Sequence, residues 1–228
     1  MTVPFPETVV FDLDGTLVDT APDLAAALNA VLTRRGRPTV SLDDVRHMVG
    51  RGPRVLIRRA LERFETATDG SEVDDLVNQF LEHYGANIAV MSRPFAGAEA
   101  AARKLTAAGH KLAICTNKPE ALSCKLMDAL KLRELFPVIL GADSRPYRKP
   151  DPRHLLDTIS VLGGAAEDAV LIGDSDTDVK TARAANVPVI AVSFGYTETP
   201  ARELGADAVI DNFDELERSF AAVSRRST

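Results

Sequence analysis

The sequence has few cysteines, no long apolar run and no excess of basic residues. Cys115 and Cys124 are the only cysteines, too few for a disulfide framework and wrongly spaced for a zinc site. We expect both to be reduced thiols that pack like small apolar side chains. No stretch of roughly 18 apolar residues is present, and the N-terminal MTVPFPETVV soon meets proline and polar residues. These absences predict a cytoplasmic protein that has neither a membrane span nor a secretory leader.

Basic residues are outnumbered, with 27 Lys and Arg against 33 Asp and Glu and a formal net charge of −6. A nucleic-acid-binding protein is expected to carry a basic domain or stripe, so nucleic acid is disfavoured as a partner. A local basic pocket for a small anion remains compatible with this charge. The length of 228 residues corresponds to about one and a half average domains, which favours one domain with a large insertion.

Five short apolar runs predict buried parallel strands, because they lack the alternation of half-exposed strands. They lie at Thr8–Asp12, Lys111–Cys115, Val138–Gly141, Ala169–Ile172 and Val187–Val192. Four helical patterns lie between or after them, at Gly97–Ala108, Glu120–Leu132, Arg153–Leu162 and Asp178–Ala185. Alternating strands and helices predict an α/β fold, with a Rossmann-like, doubly wound parallel sheet as its core.

One region breaks this alternation, because no strand is predicted between Ala21 and Ala89. Helices are expected there at Pro22–Arg35, Leu42–Met48, Pro53–Phe64 and Glu72–Asn87. We therefore predict that residues 21–91 form an all-helical cap domain, inserted into a core of residues 1–20 and 92–228. The connecting segments Leu17–Thr20 and Ser92–Gly97 are candidate hinges.

The strongest chemical signal is VVFDLDGTLVDT at residues 9–20, where an apolar strand runs directly into Asp12 and Asp14. Open α/β sheets bind ligands beyond the carboxyl ends of their strands, which is where Asp12 is expected. Residues two apart in extended chain point to the same side, so the two carboxylates can converge. Such a pair can hold a hard cation such as Mg2+, or provide a nucleophile and a general acid.

Three further strand ends carry candidate residues. Thr116 and Asn117 precede a helix and could cradle a phosphate, although such residues are also common helix caps. Lys149 stands in RKPDP, where it could meet a phosphate or simply belong to a solvated basic loop. Asp174 and Asp178 flank the turn in IGDSDTDVKTA, and Asp174 can approach the first carboxylate pair across the sheet. The joint pattern is more specific than any of its parts.

These four motifs together resemble the haloacid dehalogenase-like superfamily, specifically its phosphatases. The matching segments are DLDGT at 12–16, TN at 116–117, Lys149, and GDS at 173–175 followed by Asp178. The resemblance covers essentially the whole chain, and the segments TNKP, RKPDP and GDSDTDVKTARAANVPVIAV are most similar to the phosphoglycolate phosphatase group. It implies an enzyme that hydrolyses a small phosphomonoester, with 2-phosphoglycolate as the leading candidate.

The resemblance also implies a role for each carboxylate. Asp12 would attack phosphorus to form an aspartyl-phosphate, and Asp14 would act as general acid and then as base for the hydrolytic water. Mg2+ would be the cofactor, held by the Asp12 carboxylate, the Asp14 backbone carbonyl and the Asp174 carboxylate. Asp178 and Thr16 would support this metal site without binding the ion themselves.

The remaining implied roles concern the phosphoryl group and the substrate tail. Thr116, the Asn117 backbone and Lys149 would bind the phosphoryl oxygens. In the segment VGRGPRVLI at 49–57, Gly50 and Gly52 would let the backbone approach the site closely. Arg51 or Arg54 could then meet a substrate carboxylate, or both could lie on a solvated helix face.

Other functions stay open at this point. A sugar phosphomutase of the beta-phosphoglucomutase type would keep both Asp12 and Asp14, as would a phosphatase for pyrophosphate or another small metabolite. A dehalogenase gives Asp14 no role, and a phosphonate hydrolase needs a cap lysine that is missing between Ala21 and Arg93. A non-enzymatic phospho-accepting receiver domain is the most remote alternative. The expected partner is a small phosphorylated metabolite rather than a membrane, and either a monomer or a homodimer fits the sequence.

Overall fold

The computed structural model describes residues 5–64 and 70–224. Its eight strands are β1 (Thr8–Phe11), β2 (Val18–Asp19), β3 (Arg93–Pro94), β4 (Lys111–Cys115), β5 (Val138–Leu140), β6 (Ala169–Gly173), β7 (Val189–Val192) and β8 (Ala208–Ile210). Its helices are α1 (Ala21–Arg34), α2 (Leu42–Met48), α3 (Pro53–Glu62), α4 (Gly70–Ala86), α5 (Ala98–Ala107), α6 (Glu120–Ala129), α7 (Pro152–Val161), α8 (Asp176–Ala184) and α9 (Leu216–Ser224). None of the helices in these ranges combines the length and apolar character needed to cross a bilayer.

Six strands form one parallel sheet in the order β5-β4-β1-β6-β7-β8. Numbered along the chain, the sheet strands follow the 3-2-1-4-5-6 order of the doubly wound Rossmann fold. The predicted α/β class and parallel core are therefore confirmed. The order reverses at β1, so the chain leaves β1 toward β4 on one side and later returns to β6 on the other.

The strand residues face two separate layers of apolar packing. Val9 and Phe11 of β1 belong to the larger hydrophobic cluster, whereas Val10 belongs to a smaller cluster on the opposite face. All three side chains are almost completely buried. This explains why the run TVVF is uniformly apolar, since a parallel strand covered by helices on both faces has no solvent side.

The four helices α1–α4 follow the first sheet strand, where the sequence predicts only helices. α1 packs against α4 and α2, and α3 packs against α4. Their apolar residues join the larger hydrophobic cluster of the sheet, as Leu28, Ile57 and Phe80 illustrate. The short antiparallel pair β2–β3 lies where the chain enters and leaves this helical region. The division into a cap of residues 21–91 and a core remains a prediction.

The chain contains elements that the sequence reasoning did not predict. β8 extends the sheet by one edge strand, and α9 packs against it. The three residues of β8 give too short an apolar run to suggest a strand by themselves. The pair β2–β3 has only two residues in each strand and contains Pro94, so no periodicity could reveal it. The predicted strands and helices otherwise match the observed elements to within a few residues at their ends.

Candidate active site

The site begins at the carboxyl ends of three neighbouring strands. β1 lies between β4 and β6, so Asp12, Thr116 and Asp174, which follow these strands, lie at the same edge of the sheet. The N–H of Asp12 donates to the Ile172 carbonyl oxygen at 2.8 Å, which continues the β1–β6 ladder into the site. Asp12 therefore has a fixed backbone position at the point where the strand order reverses, the usual ligand site of this architecture.

Lys149 joins two of the acidic residues. Its Nζ lies 2.9 Å from Asp12 Oδ1 and donates a hydrogen bond to Asp178 Oδ1 at 2.6 Å. The contact with Asp12 is an ion pair without hydrogen-bond alignment, since Oδ1 has no well-directed donor among the described residues. The Lys149 side chain is 1% exposed. Burial alone would lower the pKa of Lys149, but the charges of Asp12 and Asp178 outweigh it and raise the pKa.

Both carboxylate oxygens of Asp178 accept hydrogen bonds. Oδ1 accepts from Lys149, while Oδ2 accepts from the backbone N–H of Ser175 at 3.1 Å and from its hydroxyl at 2.6 Å. Ser175 immediately precedes α8, so the Asp178 carboxylate also caps the start of that helix. Both oxygens are occupied, which suits a residue that orients its neighbours.

Asp174 is held by the loops on either side of it. Its Oδ1 accepts from the Thr16 hydroxyl at 3.2 Å, and its Oδ2 accepts from the backbone N–H of Tyr196 at 2.7 Å. A Cβ on Gly195 would come within 2.2 Å of Asp174 Cβ, and one on Gly15 within 2.4 Å of Oδ2. Glycine is thus required at both positions for these backbones to approach the carboxylate.

The three carboxylates Asp12, Asp174 and Asp178 form a buried cluster that suits a divalent cation. Each offers an oxygen within 4.8 Å of the other two. Among residues 5–64 and 70–224, Lys149 is the single cationic side chain that contacts them, so three ionised carboxylates would leave two negative charges uncompensated. Burial accordingly raises the pKa of Asp12 to about 6 and that of Asp174 well above its usual value. Mg2+ would balance this charge, and all-oxygen donors are the ligands it prefers.

Asp14 faces a different set of partners. Lys118 Nζ lies 3.0 Å from its Oδ1 and 3.3 Å from its Oδ2, and the Thr20 hydroxyl donates to Oδ1 at 2.7 Å. Lys118 also donates to the hydroxyl of Tyr84 on α4 at 2.7 Å. The Asp14 carboxylate therefore belongs to a second polar group, separate from the acidic cluster. That the Asp14 backbone carbonyl binds the metal ion stays a prediction.

The segment after β4 connects the core to the helical region. Thr116 is buried, and its hydroxyl accepts from the N–H of Lys118 at 3.2 Å. The side-chain amide of Asn117 donates to the carbonyl oxygens of Gly50 and Lys149, each at 3.1 Å. Asn117 thus lies beside Lys149, as a common phosphate-binding group would require.

The two candidate arginines point to different partners. Arg51 reaches from the segment before α3 to Asp176 at the start of α8, 3.3 Å away. Arg54 forms an ion pair with Asp74 on α4. Gly50 and Gly52 have φ angles of 103° and 89°, so this segment needs glycine for its backbone conformation. A Cβ on Gly52 would lie 3.4 Å from the Asn117 carbonyl oxygen, an ordinary van der Waals contact, so the requirement for glycine comes from the φ angle.

A narrow cavity lies between the acidic strand ends and the helical region. It has a volume of about 40 Å3. Asp12, Asp14, Thr116, Asn117 and Lys118 line its floor. The opposite wall is mostly apolar and comprises Leu24, Val49, Pro53, Leu56, Phe80, Leu81 and Leu122. The cavity therefore suits a small ligand that has one strongly polar end.

Comparisons with known proteins agree with this geometry. Residues 9–192 match the haloacid dehalogenase-like hydrolase family. The chain belongs to this family. A phosphoglycolate phosphatase from Mesorhizobium japonicum is 49% identical over 91% of this chain and 92% of its own length. One from Caulobacter vibrioides is 46% identical over 93% and 90%. A crystal structure of a predicted phosphoglycolate phosphatase from Haemophilus somnus superposes with a TM-score of 0.88 and 30% identity, covering 93% of this chain and 97% of that one.

Several residues of this haloacid dehalogenase-like site were not predicted from the sequence. Lys118 directly follows Thr116 and Asn117 in the sequence. A charged residue next to a candidate phosphate-binding pair is the signal that could have identified it. Thr20 lies within the first motif segment but was considered only as part of a hinge. Tyr84 and Tyr196 lie in helix and loop sequence without any spacing signal, and only the fold brings them to Lys118 and Asp174.

Proposed function

We propose that this protein is a Mg2+-dependent phosphatase for a small phosphomonoester, with 2-phosphoglycolate as the preferred substrate. The observation that carries the proposal is the buried Asp12–Lys149 ion pair, placed next to Asp174 at the reversal point of the sheet. The names of the relatives from Mesorhizobium japonicum and Caulobacter vibrioides support this choice of substrate.

Asp12 is the nucleophile in this proposal. Its carboxylate oxygen forms a bond to phosphorus as the bond between phosphorus and the ester oxygen breaks, which gives an aspartyl-phosphate. Water then attacks phosphorus, which releases phosphate and restores the Asp12 carboxylate. The charge of Lys149 offsets the repulsion between this carboxylate and the substrate dianion. Mg2+, held by Asp12 and Asp174, would provide further positive charge at the phosphoryl oxygens.

Asp14 moves the proton. It donates a proton to the departing ester oxygen, which leaves as glycolate, and then accepts one from the attacking water. Its carboxylate is oriented for this purpose by Thr20 and Lys118. Both partners approach the same Oδ1 atom, so Oδ2 faces fewer competing donors.

The phosphoryl oxygens are bound by groups that surround Asp12. Lys149, the Thr116 hydroxyl and backbone N–H groups near Asn117 supply the positive charge and hydrogen-bond donors that a phosphoryl transition state requires. Lys149 is fixed by its bond to Asp178, so it needs little rearrangement during the reaction.

The helices α1–α4 act as a cap in this proposal. Their contact with the site through Gly50 and Asn117 leaves a narrow cavity with a mostly apolar wall, which disfavours bulky esters. The cap would have to open to admit the substrate, with the segments near residues 17–20 and 92–97 as hinges. The cytoplasmic location and the small metabolite as sole partner are part of the same proposal.

A rapid acid quench of the purified enzyme with Mg2+ and 2-phosphoglycolate tests the mechanism. We expect the peptide that contains Asp12 to gain the mass of one phosphoryl group, and phosphate release to follow. Asp12→Asn should lose more than a thousandfold in kcat, whereas Asp168→Asn, in a turn before β6, should retain activity. Equal phosphate release by wild type and Asp12→Asn would refute the proposal. A panel of sugar phosphates, nucleotides and pyrophosphate tests the substrate, and an isomerised sugar phosphate would indicate a mutase instead.

A further inference from the structure

Lys118 is a buried cation to which the family motifs assign no role. It is 5% exposed, and it lines the cavity between the acidic strand ends and the cap helices. Its Nζ forms an ion pair with the Asp14 carboxylate, so the side chain supplies an ammonium group inside a largely apolar pocket.

The position of Lys118 is set by one residue on each side of the cavity. Asp14 of the core lies 3.0 Å from Nζ, and the Tyr84 hydroxyl from α4 lies 2.7 Å away. The Tyr84 ring also faces the ammonium group, with its centroid 4.3 Å from Nζ. An ammonium group has three donors. Asp14 accepts through both of its oxygens, at 3.0 and 3.3 Å, so a further acceptor would replace the longer of these two contacts.

The cavity offers a substrate no other cationic side chain among its described lining residues. Arg51 and Arg54, the arginines considered from the sequence, pair with Asp176 and Asp74 and do not line the cavity. The ammonium group of Lys149 already forms ion pairs with the carboxylates of Asp12 and Asp178. A second anionic group on the substrate therefore has one place in the cavity where its charge can be compensated.

We propose that Lys118, held by Tyr84, binds the second anionic group of the substrate and selects phosphomonoesters with a carboxylate next to the ester carbon. This inference rests on the proposed phosphatase function and names the residue that recognises the substrate tail. Asp14 faces the ester oxygen in that function, and Lys118 Nζ lies 3.0 Å from Asp14. A carboxylate separated from the ester oxygen by one carbon falls within reach of the same ammonium group. The substrate carboxylate then shares Lys118 with Asp14.

Paired substrates test the inference. The wild-type enzyme is assayed on 2-phosphoglycolate and on the phosphate ester of glycolamide. This analogue has the same shape, but an uncharged amide replaces the carboxylate. We expect kcat/KM to favour 2-phosphoglycolate at least tenfold. A charged hydrogen bond contributes roughly this much or more. Hydrolysis of both substrates at equal rates would overturn the role of Lys118 while leaving the phosphatase function intact. Hydrolysis of no phosphomonoester at all would instead refute the proposed function.

Substitutions at Lys118 and Tyr84 test whether these residues cause the preference for 2-phosphoglycolate. Lys118→Met should lower kcat/KM for both substrates, but the loss for 2-phosphoglycolate should be ~10- to 100-fold larger than the loss for the amide ester. Most of this differential loss should appear in KM. Tyr84→Phe keeps the ring but removes the hydroxyl, so it should reduce the preference less. Lys104→Met, a surface lysine paired with Glu217, should leave the preference unchanged.

The ratio of kcat/KM for the two substrates distinguishes recognition of the carboxylate from an effect of Lys118 on Asp14 or on the fold. If Lys118 only oriented Asp14 or supported the fold, Lys118→Met would slow both substrates by the same factor and the preference would persist, which would overturn the inference. If Lys118→Met does not fold, the wild-type enzyme and Tyr84→Phe provide the test. A wild-type ratio near one, or an unchanged preference in Tyr84→Phe, would each overturn the inference.

Discussion

The side-chain amide of Asn117 donates to the backbone carbonyl oxygen of Gly50, 3.1 Å away, and so joins the segment after β4 to the segment between α2 and α3. The same amide group donates to the Lys149 carbonyl oxygen. One side chain thus links the loop after β4, the loop that carries Lys149, and the segment before α3. Cap closure and phosphate binding are therefore expected to depend on each other.

Removing this amide should weaken that dependence. Asn117→Ala eliminates both hydrogen bonds and leaves the buried carbonyl oxygen of Lys149 without this donor, at a cost of about 1–3 kcal/mol. We expect kcat/KM for 2-phosphoglycolate to fall about 10- to 100-fold. Asn87→Ala, which alters an exposed asparagine after α4, is the control and should behave as wild type. Wild-type kinetics for Asn117→Ala would contradict the linkage.

Metal removal should give the protein an unusual pH profile. Burial raises the pKa of Asp12 from 3.8 to about 6, so the metal-free folded protein binds more protons than the unfolded chain between these values. Stability without Mg2+ should therefore fall as the pH rises from about 4 to 6. Mg2+ should increase the Tm more at pH 8 than at pH 5, because it competes with these protons. Calorimetry with EDTA or Mg2+ measures this, and equal Mg2+ effects at both pH values would contradict it.

His154 should have the opposite effect on the pH dependence of stability. This side chain is buried on α7, and desolvation, with a contribution from Lys149, lowers its pKa from 6.5 to about 4. Below pH 6.5 the unfolded chain takes up a proton that the folded protein does not. His154 therefore makes stability fall as the pH drops toward 4, by an amount on the order of 3 kcal/mol.

The variant His154→Leu isolates this effect. Its free energy of unfolding should increase relative to that of wild type as the pH decreases from 7 to 4.5, because the variant has no imidazole that must be kept neutral. His47→Gln, at an exposed position on α2, should show no such trend. Urea unfolding at several pH values with Mg2+ present provides the measurement. A constant difference between His154→Leu and wild type would show that His154 is not responsible.

Tyr196 connects Asp174 with the start of α1. Its backbone N–H donates to Asp174, while its hydroxyl donates to Asp19 and accepts from the N–H of Ala21. Tyr196→Phe removes the hydroxyl bonds but keeps the bond to Asp174. We expect it to lower the free energy of unfolding by about 1–3 kcal/mol.

The same variant should reduce kcat while changing the apparent Mg2+ affinity by less than about threefold. Tyr147→Phe is its control, because that hydroxyl bonds Asp157 away from the cavity. A large loss of Mg2+ affinity in Tyr196→Phe would mean that the hydroxyl supports the metal site rather than the hinge.

The sequence predicted the parts of this site that depend on strand ends. Asp12, Thr116 and Asp174 each follow a strongly apolar run, and parallel pairing brings such positions together in any doubly wound sheet. The contacts of Lys118 with Tyr84 were not predictable, because they depend on how α4 packs over the sheet. Likewise, the partner of Arg54 is decided by the packing of α3 against α4, which leaves no local pattern in the sequence.

The position of β1 in the sheet has a consequence for how the protein forms. β1 pairs with β4 and β6, whose residues lie about a hundred or more positions later in the chain. During synthesis, Asp12, the proposed nucleophile, emerges early but lacks its partners Lys149, Asp174 and Asp178 until these residues have followed. The helices α1–α4 depend on more local contacts and can form sooner. The active site is therefore among the last parts of the molecule to be assembled, and hydrolytic activity reports the completion of folding.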